Sequence, residues 1–148
     1  MDDTQRLRAS SLRVTAPRLA VLDVVGRLPH ATAETVLEAV REELPSVSVQ
    51  GVYDVLHALS DAGLLRRIEP AGHPARYERR TGDNHHHVVC RECGALDDVD
   101  CAVGHAPCLT PSSTSGFAVE LAEVTYWGLC PGCRAAASEN APASATIP

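Results

Sequence analysis

Asp83-Asn84-His85-His86-His87-Val88-Val89-Cys90-Arg91-Glu92-Cys93 divides this chain into two dissimilar halves and sets the chemistry of the second. On an extended strand alternate side chains face the same way, so His85 and His87 share one side while His86 faces the other. The strand ends in a Cys-x-x-Cys pair, and Cys130-Pro131-Gly132-Cys133 repeats it after 36 intervening residues. Four thiolates in two such pairs form the donor set of tetrahedral Zn2+, at roughly 2.3 Å per Zn–S bond. Each pair is expected at the end of a strand, so one ion would staple the sheet ends of a domain too small to bury much core. The competing reading of Cys-x-x-Cys is a redox dithiol, but two copies without a thioredoxin-like βαβ context favour zinc. A closed four-cysteine site is structural and leaves no open position for a hydrolase substrate.

Working outward, Glu78 and Asp98 lie close enough in sequence to offer oxygen ligands beside His85 and His87. His30 can join them only if the two halves fold over each other. A mixed nitrogen and oxygen set suits Fe2+, Mn2+ or Zn2+. Cys101 and Cys108 stand apart, seven residues from each other and without metal-type spacing. They read either as inert small apolar residues or as a reversible dithiol.

The half before Asp83 reads as helices followed by a hairpin. Pro17 suits the first turn of a helix whose Leu19, Leu22, Val25 and Leu28 recur at helical spacing, and Pro29 ends it. Thr32 caps a second helix carrying Val36, Leu37 and Val40. Ser48 caps a third, with Val52, Val55, Leu56 and Leu59 as its buried face and Gly63 as its stop. Residues 64–68 and 75–78, around a turn with Pro70, Gly72 and Pro74, form the hairpin. Three helices and a hairpin make a winged helix, whose third helix enters the DNA major groove. A small helical domain with no DNA role fits the same pattern. Beyond a hinge at 81–84, strands are expected at His85–Cys90, Leu96–Val99 and Val119–Leu129. The domains are therefore 1–82, 83–137 and a disordered Ala/Ser/Pro/Asn tail at 138–148. The class is α+β.

Net charge is −6, but residues 1–82 hold eleven arginines and eleven acids, so the excess lies wholly in residues 83–148. Arg6, Arg8, Arg13 and Arg18 crowd the N-terminus as a basic arm able to neutralise phosphates. No apolar run approaches the roughly 18 residues of a membrane helix, and the acidic start has no signal-peptide core, so a cytoplasmic protein is expected.

In order along the chain, these motifs resemble the ferric uptake regulator (Fur) family. They are Leu12 to Arg18 (LRVTAPR), His30 to Ala33 (HATA), the Val52-Tyr53 helix ending Ala62-Gly63-Leu64, residues 85–94 (HHHVVCRECG), and the late Cys-x-x-Cys. The resemblance covers about residues 6–134. It implies an N-terminal winged-helix DNA-binding domain and a small C-terminal α/β dimerisation domain, with a regulatory metal at the hinge. It further implies a homodimer on a palindromic double-stranded operator, with no membrane role and no enzymatic one. By position it assigns His30, Glu78, His85, His87 and Asp98 to regulatory Fe2+ or Mn2+. Cys90, Cys93, Cys130 and Cys133 match the structural Zn2+ site, and Tyr53 and Arg13 match DNA contacts. Arg18 and Gln50 join these as DNA-binding candidates.

Three features depart from the family pattern. Gly51-Val52-Tyr53-Asp54 stands where the family commonly reads Thr-Val-Tyr-Arg, so base readout loses an arginine. A further metal site found in some members has only His86, His105 and Glu123 as weak candidates. Glu78 is the type usual in iron sensors, whereas Asp98 is the type found in peroxide sensors. The run from Asp100 through Cys108 to Pro111, with Tyr126 to Cys130 (YWGLC), resembles the catalase-linked branch. Its implied function is a peroxide-responsive repressor of oxidative-stress genes. Peroxide would act through iron-catalysed oxidation of a ligand histidine, or through a Cys101/Cys108 disulfide. The alternatives are an iron- or zinc-responsive regulator of the same fold and, remotely, a Cys-x-x-Cys thiol-disulfide oxidoreductase.

Overall fold

The computed structural model describes residues 1–140. The chain forms two compact units, one spanning Met1–Gly82 and a second beginning at Asp83.

The first unit opens with helix α1 (Asp3–Ala9). Asp2 accepts from the Gln5 amide at 2.7 Å while the Gln5 side chain accepts from the Asp2 amide at 3.0 Å, a reciprocal capping box. Arg6 and Arg8 of the basic arm thus lie on a helix. The basic cluster hid a capping signal that was present at Asp2 and Gln5. Arg79 pins this helix, donating from Nη1 to Asp3 at 3.1 Å and to the Leu22 carbonyl at 3.2 Å.

Helix α2 (Ala16–Arg27) starts at Thr15, with Pro17 in its first turn. The short strand β1 (Ala31–Thr32) leads into α3 (Ala33–Glu43), where the Thr32 hydroxyl accepts from the Thr35 amide. Ser48 caps α4 (Val49–Asp61) through the Gly51 amide at 2.9 Å. Gly63, at φ +71°, turns the chain out of that helix. Strands β2 (Arg66–Ile68) and β3 (Arg76–Glu78) form the expected hairpin, and β1 adds to it in the order β1-β3-β2. One contiguous core joins Leu7, Val21, Leu22, Val25, Val36, Val40, Val52, Leu56, Leu59 and Tyr77. The stripes expected on α3 and α4 meet there, and on α2 Leu22 and Val25 do so with Val21 and Val24. Leu28, expected in that stripe, instead caps the helix and is exposed, because the helix ends at Arg27 and the chain turns away before Pro29.

In the second unit β4 (His85–Cys90) is the central strand, antiparallel to β5 (Leu96–Asp100) and parallel to β6 (Thr125–Gly128). The expected long strand at 119–129 is shortened, because only Thr125–Gly128 pairs with β4. β-branched and apolar residues at 119–124 favour extension, but a strand also needs a hydrogen-bonding neighbour. Helix α5 (Pro131–Glu139) follows. It carries Ser138 and Glu139 out of the expected tail, since Ala135, Ala136 and Ala137 are strong helix formers. The Ser138 hydroxyl donates back to the Arg134 carbonyl. The rest of that expected tail, from 141 onward, lies outside the described residues.

Candidate metal centres and nucleic-acid face

Cys90 ends β4, Cys93 closes the following turn, and Cys130 and Cys133 flank the start of α5. Their four sulfurs lie within 4.8 Å of one another, and Cys93 Sγ is 3.7 Å from Cys130 Sγ. A tetrahedron with Zn–S bonds of about 2.3 Å has edges of about 3.8 Å, so the set is preformed for that ion. Backbone amides create the field. The Cys133 amide donates to Cys130 Sγ at 3.4 Å, and the Cys93 and Cys130 amides lower the Cys90 pKa to about 6. Cys133 is pushed the other way, to about 12, chiefly by the neighbouring Cys130 and Cys93 sulfurs. Cys90 therefore offers a thiolate at neutral pH, whereas the Cys133 proton must be displaced by the incoming cation.

The opposite end of β4 carries imidazoles. Register pairs His85 with Asp100, His86 with Val99 and His87 with Asp98. His85 Nε2 and His87 Nε2 approach the same Asp98 oxygen, at 3.6 and 3.4 Å, with their ring centroids 4.9 Å apart. His85 Nδ1 lies 2.7 Å from Asp83 Oδ1. That carboxylate fixes the proton on Nδ1 and leaves Nε2 as a lone-pair donor, the usual outer-sphere support of a metal histidine. Asp83 touches a candidate ligand, whereas sequence reasoning had assigned it only to the hinge. Its position two residues before a candidate ligand was the available signal.

Within the first unit His30 Nε2 stands 3.2 Å from Glu78 Oε2, and both side chains are buried. Glu78 also faces Arg66 Nε at 3.9 Å. His30 adopts φ +64°, left-handed backbone that is uncommon outside glycine, while its amide donates to the Tyr77 carbonyl at 2.9 Å. Arg76 donates to the His30 carbonyl at 3.2 Å, so the backbone that aims this imidazole is held on two sides.

Cys101 and Cys108 are not isolated. His86 Nε2 is 3.2 Å from Cys108 Sγ, and the ligand atoms of His86, Cys101 and Cys108 lie mutually within 4.8 Å. The Asn84 side-chain amide and the Gly104 backbone amide each donate to Cys101 Sγ at 3.4 Å. Gly104 foremost, then Val103, Cys108 and Asn84, hold the Cys101 pKa below its usual value. The sequence spacing gave no sign of this cluster. His105 and Glu123, the other weak candidates, join no such cluster among the described residues.

On α4 Gln50, Tyr53 and Asp54 are exposed, and Val52, Leu56 and Leu59 are buried. Gln50 Nε2 donates to Asp54 Oδ1 at 2.8 Å, so the acid that replaces the expected arginine ties down the neighbouring amide. Arg13 is exposed between α1 and α2, and Arg18 Nη1 donates to its carbonyl at 2.7 Å.

A winged helix joined to a small sheet unit rich in histidine and cysteine defines a metal-responsive, DNA-binding transcription regulator. The model of the ferric uptake regulator family matches residues 9–120. The transcriptional regulator FurA of Mycobacterium tuberculosis is 62% identical over 132 residues, spanning 89% of this chain and 90% of that protein. The peroxide-responsive repressor PerR of Staphylococcus saprophyticus is 27% identical over 139 residues, with 90% of each covered. The Vibrio cholerae ferric uptake regulator structure superposes with TM-score 0.66 at 23% identity, over 87% of this chain and all of that one. This chain belongs to the ferric uptake regulator family, and its role is regulatory rather than enzymatic. The much greater identity to a protein named as a Fur regulator than to PerR fits the iron-uptake reading better than the peroxide-specific one.

Proposed function

We propose that this chain is an iron-responsive repressor that binds a palindromic operator as a homodimer. A structural Zn2+ takes Cys90, Cys93, Cys130 and Cys133. A regulatory Fe2+ or Mn2+ takes His85, His87 and Asp98 from the second unit together with His30 and Glu78 from the first. The observation that carries this reading is the convergence of two imidazole nitrogens on one Asp98 oxygen, with the His85 tautomer set by Asp83. A ligand set contributed by both units would make DNA binding metal-dependent, because the ion favours one arrangement of the chain over the others. Gln50 and Tyr53 on α4 read the operator, and Arg13 and Arg18 serve its phosphates. The homodimer is supported by exposed Phe117, Leu121, Tyr126 and Trp127, an apolar group that a lone domain would leave wet. A cytoplasmic location follows from the DNA target.

The test is operator binding by zinc-loaded protein, followed by fluorescence anisotropy under anaerobic conditions with added Fe2+ or Mn2+. Either ion should switch binding on in the natural chain and fail to do so in His85→Ala. Metal-independent binding by the natural chain would overturn the reading.

A peroxide-responsive role is the second reading, favoured by Asp98 in place of glutamate and by the likeness of Asp100–Pro111 to the catalase-linked branch. Its mark is release of DNA by equimolar peroxide from the Fe2+ form and not from the Mn2+ form. Release from neither leaves the iron-responsive reading alone.

A further inference from the structure

We propose that His86, Cys101 and Cys108 form an additional metal site that binds a thiophilic divalent cation of the Zn2+ type. It lies on the side of β4 opposite His85 and His87, and neither of the two metal sets proposed above uses it. The alternation of β4 puts His86 across from Val99 on β5, and Cys101 follows two residues later on that same side. Cys108 then returns along the loop to within 3.2 Å of His86 Nε2. The three donor atoms sit mutually within 4.8 Å. A tetrahedral Zn2+ needs S···N separations of roughly 3.6 Å and S···S of roughly 3.8 Å, so small side-chain adjustments close the site.

Three features argue for a cation rather than a simple thiol–imidazole contact. His86 is only 4% exposed and its Nε2 is aimed at Cys108 Sγ rather than at water, so a buried nitrogen lone pair faces the two thiols. The Asn84 and Gly104 donors aimed at Cys101 Sγ are the outer-sphere support that steadies a metal thiolate. Two thiolates neutralise a divalent ion, whereas a monovalent one would leave a net negative charge on a half-buried cluster. Binding forms two metal–sulfur bonds and one metal–nitrogen bond, and the thiol protons leave to solvent. Three protein ligands leave a fourth position open to water. The ion would fasten the loop from Cys101 to Cys108 onto the central strand.

The full chain, reduced and anaerobic with zinc retained on the four-cysteine site, is titrated with Co2+. A thiolate-to-cobalt charge-transfer band reports this site alone, because the His85/His87/Asp98 set has no sulfur. Because the regulatory set also takes Co2+ without such a band, the band should saturate by two Co2+ per chain and vanish in the double variant Cys101→Ser/Cys108→Ser. His86→Gln should weaken Co2+ binding about tenfold or more. Unchanged zinc content and far-UV circular dichroism in each variant certify the fold; if the double variant misfolds, the His86→Gln titration decides. Absence of the band in the natural chain overturns the proposal, as does its persistence in the folded double variant. Isolation of Cys101 and Cys108 as a disulfide under these reducing conditions overturns it as well. Failure of the regulatory reading shows separately, as DNA binding that ignores Fe2+ and Mn2+ while the cobalt band persists.

Discussion

The first unit is held by apolar packing from four helices and the central strand of a small sheet, with Leu22, Leu56 and Leu59 wholly buried. From Asp83 onward the buried apolar side chains among the described residues are Val89 and Cys90, accompanied by three buried histidines. A sheet unit with so little apolar interior gains little from core packing, and the zinc site and dimer contact proposed above would supply the remainder. The contrast separates what each half can tolerate. The first is sensitive to side-chain volume, and the second to donor atoms.

The largest effect should come from the four-cysteine site. Apparent binding free energies for structural zinc run to about 10–16 kcal/mol, and in such a domain that is folding free energy. Cys93→Ala, or strong chelation, should abolish amide protection of β4 and β6 while α2–α4 keep theirs in hydrogen exchange. Survival of β4 protection without zinc would break the comparison. Acid should mimic the chelator. With Cys90 depressed to about 6, its thiolate is present at neutral pH and is lost as pH falls through that value. Cys133, raised to about 12, already carries a proton that zinc must displace at every lower pH. Zinc affinity should therefore fall steadily on acidification, measurable by competition with a chromophoric chelator.

Next in size is Leu56→Ala, which truncates a wholly buried side chain and should cost about 2–5 kcal/mol. Thermal unfolding of the helical signal should drop accordingly with zinc content unchanged; zinc loss in step with it would mean the halves are not independent. Asp83→Ala should weaken regulatory Mn2+ binding about 10–100-fold by freeing the His85 tautomer. Isothermal titration reads this directly, and an unaltered affinity would remove Asp83 from the site. The smallest change, Ser48→Ala, deletes the cap of α4 and should cost about 1 kcal/mol. Denaturant midpoints suffice to detect it, and zinc retention should not move.

Legibility followed the same division. The capped helices were plain because Thr32 and Ser48 precede stripes at helical spacing, a signal that is local in sequence. Strand β4 and the Cys-x-x-Cys pairs were equally plain, since alternation and short chelating loops are local too. Helix α1 was masked by its arginines, although its capping box was written in Asp2 and Gln5. The 119–124 segment misled because residue type sets the preference for extension, while pairing depends on which neighbour is present. The His86, Cys101 and Cys108 cluster was illegible for a related reason. It depends on the register of β5 against β4, which brings residues 15 and 22 positions apart side by side.

That register also sets what kinds of length change the gene can absorb. The exposed loop after Cys108 can lengthen or shorten at little thermodynamic cost. Removing the codon for His85 or His86 would turn every later side chain of β4 to the other side of the sheet. It would carry His87 from Asp98 toward the sulfurs and leave Asp98 facing an aliphatic residue. In this stretch even a single-residue deletion trades one coordination chemistry for another, so its length is as much a part of the binding specification as its composition.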